Sequence, residues 1–165
     1  MAVTMSLFEN DLFQWRETYF VLFDEATRPQ AEDVVKALTD QDGRFEVTNV
    51  EADDAGRLES LTFRSPEDSS AMDITYVVGE EVVEQVAELL QTFARVTLDD
   101  DERDKLNFLG ECDARYDIFH FEETSFTDNE NEEILDPGAL LLVMERLTAL
   151  SKGVGVDPQS GSFIQ

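Results

Sequence analysis

Two segments of this chain carry large apolar side chains on both of their alternating faces, and they narrow the folds open to it more than any other feature. In Glu17–Phe23, Tyr19, Val21 and Phe23 point one way while Phe20 and Leu22 point the other. In Ala114–Glu123, Tyr116 and Ile118 oppose Phe119 and Phe121. Side chains alternate across a strand, so a strand that is apolar on both sides has to be covered on both sides. The first segment predicts a central strand. The second cover for the strands around Phe20 and Phe119 comes from the same chain or from a second copy of it.

The remaining elements follow from periodicity and punctuation. Thr27–Gln41 reads as a helix: Thr27 can cap, Gln30 stands at the box position, and Pro29 suits the first turn. Ala31, Val34, Val35 and Leu38 form its apolar stripe, and Gly43 is placed to end it. Phe45–Val50 and Leu58–Arg64 flank the turn-forming Asp53-Asp54-Ala55-Gly56 and predict a hairpin. Pro66–Ser70 makes the next turn. Ala71–Val78 then alternates, with Met72, Ile74, Tyr76 and Val78 inward and Asp73 and Thr75 outward. Glu80–Val96 is the clearest helix, with Val82, Val83, Val86, Leu89, Leu90 and Phe93 on one face. Glu80 and Glu81 in its first turn and Arg95 in its last complement the helix dipole.

Thr97–Cys112 admits two readings: a short helix that starts in the acidic run Asp99–Glu102 and reaches Leu106 and Leu109, or an acidic loop. Thr124–Glu133 reads as a polar, mobile loop. Asp136-Pro137 opens a helix that buries Leu140, Val143, Met144, Leu147 and Leu150 and stops at Gly153. Val154–Val156 and Ser162–Ile164 predict a terminal hairpin around Asp157–Gly161. At the other end, residues 1–16 form an arm or a short helix, Ser6 and Glu9 having capping-box spacing.

The order is βαβββα, then βα and the hairpin. It predicts an α+β fold: a mixed or antiparallel sheet with helices layered on one face. The same order admits a ferredoxin-like plait. No linker separates two domains, so residues 1–165 are read as one.

Charge bounds the partners. The 165 residues carry 38 Asp+Glu against 12 Lys+Arg, a formal net charge of −26. Such a field repels nucleic acid, whose binding needs Lys and Arg to displace counterions, and it repels anionic membranes. It attracts basic protein surfaces. Only Lys36, Lys105 and Lys152 are lysines, a balance that also suits work in high salt, where screening relieves self-repulsion. Cys112 is the single cysteine, which excludes an intrachain disulfide and fits a reducing compartment. Met1–Asn10 lacks the basic and apolar regions of a signal peptide, so a cytoplasmic location is expected. No apolar run has the length of a membrane-spanning helix.

Motifs with chemistry fail on inspection. His120, the only histidine, lies between Phe119 and Phe121 and reads as a neutral, hydrogen-bonded side chain of a packed sheet. Cys112 has no second cysteine for a zinc site and reads as an inert thiol. Asp128-Asn129-Glu130-Asn131-Glu132 alternates like a calcium loop, but Glu133 and Ala139 stand where that loop needs Gly and Glu. No glycine-rich phosphate loop or nucleophile elbow occurs. Neither a metal nor a cofactor is expected, and neither is catalysis.

These readings converge on an acidic interaction protein that docks a basic protein partner, in the manner of an inhibitor, an immunity protein or a charge mimic. The expected contacts are Asp99, Asp100, Asp101 and Glu102, with Asp128, Glu130, Glu132 and Glu133, because mobile loops carry function. The alternative is a small regulatory or sensory module that binds a small molecule or forms a homo-oligomer through its sheet.

Overall fold

A computed structural model describes residues 12–39, 45–95, 98–123 and 138–164. Seven strands form one sheet: β1 (Phe13–Phe23), β2 (Glu46–Ala52), β3 (Leu58–Ser65), β4 (Ser70–Val78), β5 (Ala114–Glu123), β6 (Val154–Asp157) and β7 (Ser162–Ile164). The helices are α1 (Ala31–Leu38), α2 (Glu80–Phe93), α3 (Asp100–Leu109) and α4 (Gly138–Ser151). The strand order is β2-β3-β4-β5-β1-β6-β7, and every neighbouring pair is antiparallel. The α+β class and the antiparallel sheet are those the sequence predicts. The plait is not, because it lays its helices on one face of the sheet and here both faces carry helices.

The two strands with two-sided apolar patterns are neighbours in the interior of the sheet, β1 pairing with β5 from Phe13↔Glu123 to Phe23↔Ala114. Their alternation feeds two large cores and a small third cluster, in which Phe121 packs with Ala71, Phe13 and Phe119. Tyr19, Val21 and Phe23 join Tyr116, Ile118, Phe63 and Ile74 beneath α1 and α4. Phe20 and Leu22 face the other way and join Val154 and Val156 beneath α2 and α3, with Val82, Val86, Leu89, Phe93 and Leu109. The helices therefore lie in pairs on the two faces, and the single-face layering expected from element order is corrected. The physical reason lies in β1 itself: burying Phe20 and Leu22 removes apolar surface from water at about 25 cal/mol per Å², so a second cover is favoured.

Local boundaries also move. The first helix begins at Ala31, not Thr27, with Gln30 as N-cap. Thr27 instead closes a 3-10 turn, Glu25–Thr27, that Asp24 caps through its side chain. The Thr27 hydroxyl bonds the Asp24 and Ser151 carbonyls, which ties this turn to the end of α4. Pro29 and Gln30 stay extended because they pair with the β2–β3 turn: Leu58 N–H donates to the Pro29 carbonyl at 3.0 Å and Ala31 N–H to the Gly56 carbonyl at 2.8 Å. The first strand starts at Phe13, so Phe13 and Gln14 belong to the sheet instead of to an N-terminal helix. Residues 98–112 are resolved in favour of helix α3. Val78 and Val83, expected inside, are exposed. The expected stops at Gly43 and Val96, the Asp136-Pro137 start and the loop 124–133 lie outside the described residues.

Two irregularities shape the strands. Arg16 is an extra residue between the pairs Trp15↔Phe121 and Glu17↔His120, a β-bulge. On β2, an edge strand, Asn49 takes a left-handed φ of 54° where register shifts between Thr48 and Glu51. Bulges of this kind blunt an edge that would otherwise offer a free ladder to another chain.

Candidate functional site

The acids of the helical layers are unevenly shared. α2 (EEVVEQVAELLQTF) has four glutamates and no basic residue. α3 (DDERDKLNFL) adds Asp100, Asp101, Glu102 and Asp104 against Arg103 and Lys105. On the opposite face, α4 carries one Glu and one Arg, and α1 has Glu32 and Asp33 beside Lys36. The α2–α3 layer is thus the more acidic of the two.

Within it, the run expected to make contacts divides by role. Asp99 is the N-cap of α3: its carboxylate accepts the Glu102 N–H at 2.8 Å, and the Glu102 carboxylate accepts the Asp99 N–H at 3.1 Å. This capping box satisfies two backbone donors that the helix start leaves open, so Asp99 and Glu102 are committed to structure. Asp100 and Asp101 extend from the first turn into solvent. Asp128, Glu130, Glu132 and Glu133 lie outside the described residues.

Sequence reasoning missed the outer stripe of α2. Glu80, Val83, Glu84, Ala87 and Glu88 follow the i, i+3, i+4 spacing that makes one helical face, and all are exposed. Val83 is 57% exposed, the most of any large hydrophobic side chain among the described residues. Glu80, Glu84 and Glu88 make no ion pair with a described residue. Like charges four apart on a helix cost about 0.2–0.5 kcal/mol per pair, so the stripe is locally unfavourable in the free protein. The signal was present in the sequence, but Val83 adjoins Val82 and was counted with the buried face.

Glu81 differs, because it pairs with Arg115 at 3.1 Å while itself staying exposed. Arg115 is buried on β5, stacks over Phe20 at 4.6 Å and donates through Nε to Asp117 Oδ1 at 2.5 Å. Burial raises the Asp117 pKa above the usual carboxylate range against the opposing pull of Arg115. On the other sheet face, Arg28 pairs with Asp53 and lies over the Tyr76 ring at 4.1 Å. Asp53 also accepts the Ala55 and Arg57 N–H groups, each at 2.9 Å, so the pair organises the β2–β3 turn. Both arginines join separate elements within the fold.

The reactive side chains are placed apart. Cys112 belongs to the α2–α3 core, donates weakly to the Phe108 carbonyl, and has its thiol pKa pushed up to about 12 by burial and by Asp113. Its thiolate, the nucleophilic form, is therefore scarce at neutral pH. His120 faces the opposite side of the sheet, in line with Ile118, so the two cannot act together. Its Nε2 instead lies 2.9 Å from Ser70 Oγ, and its Nδ1 lies 3.9 Å from Glu17 Oε1. That is the atom order of a Ser-His-acid triad, but Ser70 is 1% and His120 2% exposed, so no substrate reaches the hydroxyl in this arrangement. Among the described residues, no group of three or more His, Cys, Asp or Glu side chains is placed to hold a metal ion. Nor is any described helix long and apolar enough to cross a membrane.

Comparison with family models, with curated proteins and with solved structures finds no match to this chain.

Proposed function

We propose that the protein acts by binding, without catalysis, and that its α2–α3 surface docks a basic protein partner. The observation that carries this reading is the outer stripe of α2: three glutamates with no ion pair to a described residue flank exposed Val83 and Ala87. A partner with Lys or Arg at matching spacing relieves the repulsion among them and covers the apolar centre. Asp100 and Asp101 extend the same acidic layer. Electrostatic steering by such a surface acts mainly on the association rate and weakens as salt rises.

The alternative, self-association through the sheet, rested on strands that needed a second cover. For Phe20 that cover is α2 and α3 of the same chain.

Salt adaptation spreads acidity without regard to face, and this sets the control. One variant replaces Glu80, Glu84, Glu88, Asp100 and Asp101 by Gln and Asn. A second neutralises Glu32, Asp33 and Glu145 on the opposite layer, and a third neutralises Asp128, Glu130, Glu132 and Glu133. Affinity capture from native lysate at low and high salt, followed by identification of the captured proteins, compares them with the wild type. The expected result is a set of basic proteins held at low salt and lost only with the first variant. Equal retention by the first and second variants would show that no docking face exists. Loss with the third alone would move the contact to the 128–133 segment.

A further inference from the structure

We propose that the outer edge of β1, residues 13–18, takes an extended basic peptide as an added antiparallel strand. β1 pairs with β5 along its whole length, from Phe13 to Phe23. On its other side β6 pairs only with Phe20, Val21 and Leu22. Among the described residues, no backbone group of residues 13–17 is bonded on that side. An unpaired run of N–H and C=O groups is a template for a further strand. The run lies beyond Phe20, where the cover by α2 and α3 begins, so it is separate from the docking surface on those helices.

An amide from outside the strand already stands where the added strand would lie. Continuing the register of Phe20↔Val156 outward places Pro158 opposite Thr18. Proline has no N–H to give to a ladder, and β6 ends at Asp157. The Thr18 N–H instead donates to Gln159 Oε1 at 3.0 Å, and Gln159 Nε2 donates to Asp157 Oδ1 at 2.5 Å. A carboxamide offers the same donor and acceptor types as a peptide group, so Gln159 stands in for a strand's backbone. Gln159 is exposed, and an incoming carbonyl can take over its bond to Thr18.

The flanks of the edge set the chemistry of the occupant, because side chains alternate across a strand. On one face, Glu17 is 41% exposed; its carboxylate meets the Tyr19 hydroxyl and lies 3.9 Å from His120. Among the described residues, no Lys or Arg pairs with it. On the other face, Trp15 is 46% exposed, and its indole N–H donates to the Thr18 hydroxyl at 3.2 Å, which lays the ring along the edge. A strand that alternates Lys or Arg with apolar residues sets its charges beside Glu17 and its apolar side chains beside Trp15. Arg16 does not repel it, being paired with Glu122 at 3.3 Å. A second copy fits less well. It brings its own net charge of −26, and the bulge at Arg16 twists the edge, which a short peptide follows more readily than a second sheet does.

Fluorescence anisotropy tests this with the full-length protein and a labelled eight-residue peptide of alternating Lys and Val. Two further versions of the peptide are N-methylated, one at the valines and one at the lysines. Successive N–H groups of a strand point to opposite edges, so the version with its methyl groups toward β1 should fail to bind and the other should bind like the parent. Gln159→Ala, which frees the Thr18 N–H, should tighten the parent peptide several-fold, and Glu17→Lys should weaken it several-fold. Hydrogen exchange should show amides of residues 13–17 becoming protected when the parent peptide binds. Equal behaviour of the two methylated versions overturns the proposal, and this comparison needs no altered protein. The variant with Glu80, Glu84, Glu88, Asp100 and Asp101 neutralised should bind the peptide like the wild type. Loss of binding in that variant would place the peptide on the α2–α3 surface, overturning the edge site while supporting the docking face. Protection of the same amides without peptide would show the edge filled by the chain's own residues in a monomer, or by a second copy in a dimer, and either overturns the proposal.

Discussion

Lys152 and Gly153 show how a correct local signal can attach to the wrong residue. A glycine after the apolar stripe of α4 marks a helix end, yet the left-handed position is taken by Lys152, with φ 57°. Gly153 serves a different need. It passes so close to the Leu22 carbonyl and Phe23 that an added Cβ would collide with both. Lys152→Gly should therefore stabilise the protein by about 1 kcal/mol, since a left-handed conformation costs an ordinary residue about 1–2 kcal/mol. Gly153→Ala should destabilise it by about 1–3 kcal/mol through overpacking. Denaturant unfolding of the two variants checks both signs. Cys112 makes a kinetic prediction. With its pKa near 12 and its side chain buried, native protein at pH 8 should resist alkylation by iodoacetamide, and unfolding should release one rapidly reacting thiol.

Among the elements, the two-layer arrangement separates helix positions that look alike in sequence. Leu89 is buried between α2 and the sheet, and Leu147 is fully buried beneath α4. Truncating either to Ala should cost about 2–5 kcal/mol by leaving a cavity. Val83→Ala should change stability by less than about 0.5 kcal/mol, because its side chain faces water. Urea midpoints for the three variants test the assignment, and a large effect at Val83 would mean that α2 is rotated on its axis. α3 adds a contrast at its cap: Asp99→Ala should cost about 1 kcal/mol, whereas Asp99→Asn keeps a capping acceptor and should be nearly neutral. Helix periodicity identified α2 and α4, left α3 open between helix and loop, and left the α2 stripe two residues wide at Val82-Val83. A window of 3.6 residues per turn cannot say which of two adjacent valines faces the sheet until the sheet is placed.

For the whole molecule, a net charge of −26 on 165 residues makes self-repulsion a global cost. Ion pairs such as Arg64–Glu123 at 2.6 Å and Arg115–Asp117 at 2.5 Å use several of the few basic residues and leave most acids without a partner to offset them. Added salt should raise the thermal midpoint, as the Debye length shrinks from about 30 Å at 0.01 M to about 3 Å at 1 M. Scans across that range of NaCl test it, and a flat or falling midpoint would show that the acids are offset within the fold. The α2–α3 variant proposed for docking removes five negative charges, so its own midpoint should rise most at low salt. That gain in stability, alongside loss of capture, would mark the stripe as retained at a cost to the free protein.

The sequence by itself determined the kind of each described strand and of α1, α2 and α4, and the interior position of β1, while it left α3 open between helix and loop. Those properties come from alternation and periodicity among near neighbours, where the spacing of apolar side chains sets which faces need cover. It also determined the charge, and with it the classes of partner that the chain repels. Only the tertiary structure decided that the helices divide between two faces, that Val83 is exposed, and that Ser70 meets His120 across a separation of 50 residues. That meeting depends on the register of β4 against β5, which pairs Ser70 with Glu122 and Met72 with His120. Register is fixed by how whole apolar faces match after collapse, a condition that no local stretch of either strand contains.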